Sequence, residues 1–175
     1  MSPSATITGD NIHFLEQAAA LLRGIDDRLY AEPPSIALSP VGAHLRHCLD
    51  LYSSFLAGFS SGRIDYDDRA RDPRLETDRE YALAMIASLV AQLEVCDGES
   101  RDCALVVAMD RGEAEQGERA FTTSSVRREL QFLRSHTVHH YALIAAVLRL
   151  HGHEPGHEFG VAPATLQYRR ELAGA

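Results

Sequence analysis

Apolar residues recur at intervals of three and four in four stretches of this chain, the spacing of helices that bury one face and wet the other. The first stretch runs from Asp10 to about Tyr30, with Ile12, Leu15, Ala19, Leu22, Ile25 and Leu29 in its stripe, and the pair Pro33 and Pro34 ends it. The second, SPVGAHLRHCLDLYSSFLAG, begins where Ser39 can cap and Pro40 suits the first turn, and it reaches about Gly58. Its inward positions are Val41, Leu45, Cys48, Leu49, Tyr52, Phe55 and Leu56. A third stripe, Ala82, Met85, Ile86, Leu89 and Leu93, follows Thr77 and Glu80, which have capping-box spacing. The fourth runs from about Ser125 to His151 and is stopped by Gly152, with Pro155 just beyond.

What joins these helices is uneven in length. Residues 59–75, FSSGRIDYDDRARDPRL, have no periodicity and are rich in Gly, Ser, Asp and Arg, so they suit a long crossover after which the second and third helices can lie parallel. Between about 104 and 123, ALVVAM and RAFTTS flank a polar, Gly-containing middle and can pair as a small β-hairpin before the fourth helix. The pattern therefore predicts an all-α four-helix bundle, with 175 residues and 45% hydrophobic content forming one domain over 1–175.

Charge and cysteine usage narrow the function. The formal net charge is −8, and the 17 Lys and Arg form no run or stripe of the kind that tracks a phosphate backbone, so nucleic acid is not an expected partner. No window approaches the roughly 20 apolar residues of a membrane span, and the N-terminus lacks a basic patch followed by an apolar stretch; a cytoplasmic protein without a membrane partner is expected. Cys48, Cys96 and Cys103 are an odd set without a CxxC pair, which suits a reducing compartment, and Cys48 reads as a small core residue.

The histidines carry the candidate chemistry. In SVRRELQFLRSHTVHHYALIAAVLRLHG, the apolar side is defined by Val126, Leu130, Leu133, Leu143, Ile144, Val147 and Leu148, and His136 and His140 project into it, with His139 on its flank. Arg127, Gln131, Arg134 and Arg149 point the opposite way, so a solvent face was available to these histidines. Imidazoles four residues apart on a helix are about 6 Å apart along its axis, close enough to share an ion with bonds of about 2.0–2.1 Å. Two buried histidines hydrogen-bonded to carbonyls or water would show the same spacing. A third ligand must come from another helix, where His44 lies nearer the apolar centre and His47 further round, toward Asp50; periodicity leaves both open. Glu129, one heptad before His136, is a candidate fourth ligand or outer-shell acceptor, or a partner for an Arg near the helix start.

HLRHCLD, IDYDDRARD followed by LETDREYAL, RELQFLRSHTVHHYAL and FGVAPATLQY together resemble the DinB-like (DinB/YfiT-like) superfamily of metalloenzymes over nearly the whole chain. The resemblance implies a divalent metal held by one His of the second helix and the HxxxH of the fourth, which selects His47, His136 and His140, with Asp50 completing an HxxD pattern. Similar sequences often carry another His where this chain has Leu51. Tyr66, Arg69 and Arg71 look like part of a subgroup signature that could line a pocket mouth, against a structural role in pairing with neighbouring Asp residues.

Three imidazoles leave a coordination position open, as in catalytic zinc sites, where water or a thiol can be activated. Imidazole suits zinc, nickel, iron and copper, and three His without a Cys do not choose among them; zinc or nickel is the expected ion, with iron next. Relatives implied by the resemblance include thiol S-transferases and thiol-dependent isomerases. The expectation is a metal-dependent enzyme acting on a small-molecule substrate such as a low-molecular-weight thiol, by transfer or conjugation ahead of metal-assisted hydrolysis, and assembled as a homodimer. The rivals are a non-catalytic metal-binding or stress-related dimeric bundle, and a metal-free bundle with hydrogen-bonded core histidines.

Overall fold

The computed structural model of the protein describes residues 6–36, 38–96, 102–109 and 120–174. It is mostly helical, with one small sheet. Four long helices dominate: α1 (Ile7–Gly24), α3 (Val41–Phe59), α5 (Arg79–Val95) and α6 (Val126–Leu150). Shorter helices α2 (Asp27–Ala31) and α4 (Arg74–Thr77) precede α3 and α5, and α7 (Pro163–Ala173) closes the described chain. The long helices neighbour one another in a ring, α3 beside α6, α6 beside α1, α1 beside α5 and α5 beside α3. Among the described residues, no helix is long and apolar enough to cross a membrane.

Cross-helix contacts fix the directions. His44 meets His140 while His47 meets His136, so α3 and α6 run antiparallel. The Arg79 guanidinium at the start of α5 donates to Leu22 O near the end of α1, so these two are also antiparallel. Tyr52, in the second half of α3, reaches Asn11 near the start of α1. Hence α3 and α5 run one way and α1 and α6 the other, the parallel relation expected of a long crossover.

That crossover is fastened at both ends of α3. A Cβ on Gly58 would lie 2.3 Å from Arg63 O, and one on Gly42 would lie 2.1 Å from Glu76 O, so only glycine lets the returning chain come this close. Near Gly42, Arg46 bonds Glu76 through Nε at 2.9 Å and Asp50 through Nη1 at 3.1 Å, tying α4 to α3. Near Gly58, β1 (Arg63–Asp65) pairs in parallel with β2 (Ala104–Ala108), Ile64 opposite Val107. On the other side β2 pairs antiparallel with β3 (Thr122–Ser125), Leu105 opposite Ser124, so the two strands of the expected hairpin are present; the connection between them lies outside the described residues.

Several helix boundaries differ from the sequence expectation, each for a local reason. The first segment is two helices, because Ile25 is extended and the Asp26 carboxylate caps a new turn by accepting from Leu29 N. Its buried face is Ile7, Asn11, Phe14, Leu15, Ala18, Ala19 and Leu22, so polar Asn11 is inward and Ile12 only half-buried. Pro40, not Ser39, holds the cap position of α3. For α5 the cap is Asp78, whose carboxylate accepts from Tyr81 N at 2.9 Å, while Thr77 ends α4. The last long helix matches closely, with Ser125 capping through its side chain and Gly152 at φ 77 just past the end.

Candidate metal centre

The line of α6 that reaches the centre of the core is Val126, Leu130, Leu133, Thr137, Tyr141, Ile144 and Leu148, all buried. His136 and His140 sit one position round from Thr137 and Tyr141, half-buried and turned toward α3. On α3 the buried positions Leu45, Cys48, Leu49 and Tyr52 leave His44 and His47 on the flank that faces them, also half-buried. The histidines thus line the seam between two antiparallel helices, beside the core and within reach of solvent.

His47, His136 and His140 each present a nitrogen, and these three atoms lie within 4.8 Å of one another. Nε2 of His47 is 2.8 Å from Nε2 of His136, and the His140 ring centre is 4.7 Å from each of theirs. An ion equidistant from such nitrogens, at about 2.0–2.1 Å, requires separations of about 3.3–3.6 Å, so modest side-chain movement suffices. Burial, with smaller repulsion from the neighbouring histidines and arginines, pushes the His47 imidazolium down to about 4 and that of His140 to about 3. His136 and His44 shift down for the same leading reason. At neutral pH these rings are uncharged, the state in which imidazole binds a metal.

His44 and His47 both face the centre, in different ways. His44 Nδ1 lies 3.1 Å from His140 Nδ1, so His44 backs His140 while His47 joins the three-nitrogen cluster. Ligation by His140 through Nε2 would leave the proton on its Nδ1, and His44 Nδ1 would accept it, the usual outer-shell support for a metal-bound imidazole. His139 is exposed, its ring centre 5.3 Å from that of His140, and is not one of the three.

The remaining candidates separate clearly. Glu129 is buried, accepts a bond from Ser124 Oγ and meets Arg128 Nη1 at 3.4 Å; it is not part of the cluster, and its role is local. Asp50 bonds Arg46 rather than His47, so the HxxD pattern serves the tie to α4. Leu51 is core. Tyr66 does not line a mouth: it is 2% exposed, packed on Phe132 with ring centres 5.5 Å apart, and its hydroxyl is pushed well up by burial and by Glu129. Arg71 is exposed and turns back on Asp67 O, at a φ of 50. Only Arg69 of that group reaches the centre, its Nη1 standing 3.2 Å from His47 Nδ1. Cys48 is buried, and its thiol is pushed up to about 12 by burial, as a core residue would be.

Two features of the site escaped sequence reasoning. The Arg69 contact depends on how the crossover folds back over α3, for which no spacing rule exists. The pairing of His44 with His140 follows from antiparallel α3 and α6, and the one-turn spacings of 44/47 (three residues) and 136/140 (four) were the available signal.

The chain is similar to known proteins across this region. Residues 14–144 match the model of the DinB superfamily, a span that includes all of these histidines. FK506-binding protein 5 of Rhizopus delemar is 35% identical over 106 residues, which are 60% of this chain and 27% of that protein. The chain thus spans about a quarter of that relative's length. No solved structure matches the chain.

Proposed function

The chain belongs to the DinB superfamily, and on that premise we propose that it is a metal-dependent enzyme whose centre is His47, His136 and His140, acting on a low-molecular-weight thiol. The observation that carries this reading is the convergence of three uncharged imidazoles from two helices on one point. Three nitrogen ligands leave room for an exogenous group, and the half-buried seam gives that group access. Zinc or nickel is the proposed ion, with iron also compatible with imidazole. Bound there, it would supply Lewis acidity that favours the deprotonated form of a thiol or water. The protein's own residues do the rest: α3 and α6 fix the ligand rings, His44 backs His140, and the Tyr66–Phe132 pair walls one side of His136.

In this reading the four long helices form one four-helix bundle over a single domain, the protein is cytoplasmic, and a second copy completes a homodimer. Thiol transfer or conjugation stands ahead of hydrolysis because thiolate is the stronger soft ligand for such an ion.

The test is metal content after purification, beside His136→Ala and His140→Ala. Near-stoichiometric metal in the parent protein and at least about 100-fold weaker binding in each variant, beyond the loss typical of an outer-shell change, is expected. A parent protein that neither retains nor takes up zinc, nickel or iron refutes the reading. A second reading, a non-catalytic metal-binding bundle, draws support from His44, a fourth imidazole beside the cluster. X-ray absorption that finds four histidine nitrogens and no exogenous ligand would favour it.

A further inference from the structure

Arg69 stands beside the centre without a carboxylate. Among the described residues none lies within ion-pair distance of its guanidinium: Asp50 attracts it but is bonded by Arg46, and Asp67 attracts it from beyond that range. Arg46 and Arg71 lie close enough to repel it. Of its five N–H donors, Nη1 is directed at His47 Nδ1 at 3.2 Å, and Nε is buried with no partner. A half-buried guanidinium with an unmet inner donor is a costly arrangement unless something else completes it.

The His47 ring sharpens the point. Its Nε2 faces His136, so Nε2 is the nitrogen offered to an ion. A neutral imidazole that ligates through Nε2 carries its proton on Nδ1, and Nδ1 then opposes the Arg69 N–H donor to donor. A metal bound there would take from Arg69 the acceptor it has among the described residues and leave a cationic fork at the edge of the centre. The group that fits a planar fork is a carboxylate, held by two parallel charge-assisted bonds. A dianion such as a phosphate is matched less well, because Asp50 and Asp67 are near and a single guanidinium would have to offset both charges.

We infer that Arg69 is the anion-recognising residue of this centre and that the thiol it selects carries a carboxylate. This rests on the metal reading above and extends it to the substrate class. A metal held by His47, His136 and His140 would take the thiol end of the ligand and Arg69 the carboxylate end, and release of Arg69 from His47 on loading would couple the two.

The experiment compares 3-mercaptopropionate with 3-mercapto-1-propanol, thiols that differ at the carboxylate, on cobalt(II)-loaded protein. The readouts are the thiolate-to-cobalt charge-transfer band and calorimetric affinity. The parent protein should bind the carboxylate thiol about tenfold or more tightly than the alcohol, the range for a hydrogen bond to a charged group. Arg69→Met should erase that preference, and Arg69→Lys, which keeps the charge and loses the fork, should retain part of it. Equal binding of the two thiols by the parent protein, or an undiminished preference in Arg69→Met, overturns the inference. If no thiol band forms, the thiol reading fails and propionate against 1-propanol on the cobalt-loaded protein decides for Arg69; if cobalt is not taken up, the metal reading fails and the inference that rests on it falls with it. Propionate binding lost in Arg69→Met upholds the anion site, and no propionate binding overturns it.

Discussion

Thr137 and His136 are consecutive residues of α6, yet they belong to polar constellations of opposite kinds. Thr137 joins a network inside the core, where Tyr52 Oη donates to Asn11 Oδ1 at 2.7 Å and the Thr137 hydroxyl donates to Tyr52 Oη at 3.3 Å. The Asn11 amide completes it by donating to Ile7 O at 2.8 Å and Leu130 O at 3.0 Å, which ties α1 to α6. Every one of these side chains is buried, and none of their polar atoms lacks a partner. His136 joins the other set, half-buried, where four imidazoles and a guanidinium crowd together and His44 Nε2 and Arg69 Nε have no partner. A closed network has nothing left to bind and holds helices in register. An open one, kept beside it at a cost in desolvation, is where a ligand completes the structure.

The comparison breaks most visibly at Asn11. Asn11→Ala takes from the Tyr52 hydroxyl its acceptor and from Leu130 O its side-chain donor, and about 1–3 kcal/mol of stability should go with them, read as a shift in the urea midpoint. Metal content should not change; if it falls with stability, the two constellations are one. A smaller effect is expected at His44. In His44→Phe the His140 Nδ1 proton loses its acceptor, and zinc affinity measured against a chelator should fall about 10–100-fold with little change in folding. Unchanged affinity would show that His44 neither ligates nor supports.

Acid provides the sharpest sign. The folded-state values of His47 and His140, about 4 and about 3, lie below the roughly 6.5 of an unfolded chain. Below 6.5 the unfolded chain binds more protons than the folded one, so stability is lost as pH falls through that window and is flat with respect to these groups above it. Urea titrations of metal-free protein at pH 7.5, 5.5 and 4.5 should show this, and a His47→Phe, His140→Phe double variant should flatten the trend.

Much of this was readable in the sequence. Four long amphipathic segments, the glycine stop at 152 and the long crossover follow from local periodicity and turn chemistry, which is why they appear where expected. The histidine spacing was legible too, and the structure brings His47, His136 and His140 together. Other features depended on tertiary context. Asn11 is tolerated inside because Tyr52 and Leu130 satisfy it, and neither is near it in sequence. β1 is three residues long and exists through its pairing with β2. The C-terminal helix α7 has no buried residue, so it lacks the apolar stripe that would have announced it. Asp26 and Asp78 won the caps over the expected boundaries because their carboxylates reach backbone amides three residues on.

Gly42 and Gly58 are sixteen positions apart on one rod, about 24 Å along its axis, and the loop bearing Arg69 is stapled at both. Residues added to or removed from the middle of that loop can only raise or lower an awning over the imidazoles, since neither staple moves and the ligand-bearing rods are untouched. On the proposed reading, substrate choice and ion capture can therefore drift apart over evolutionary time, the first written in a tethered strap and the second in two rigid beams.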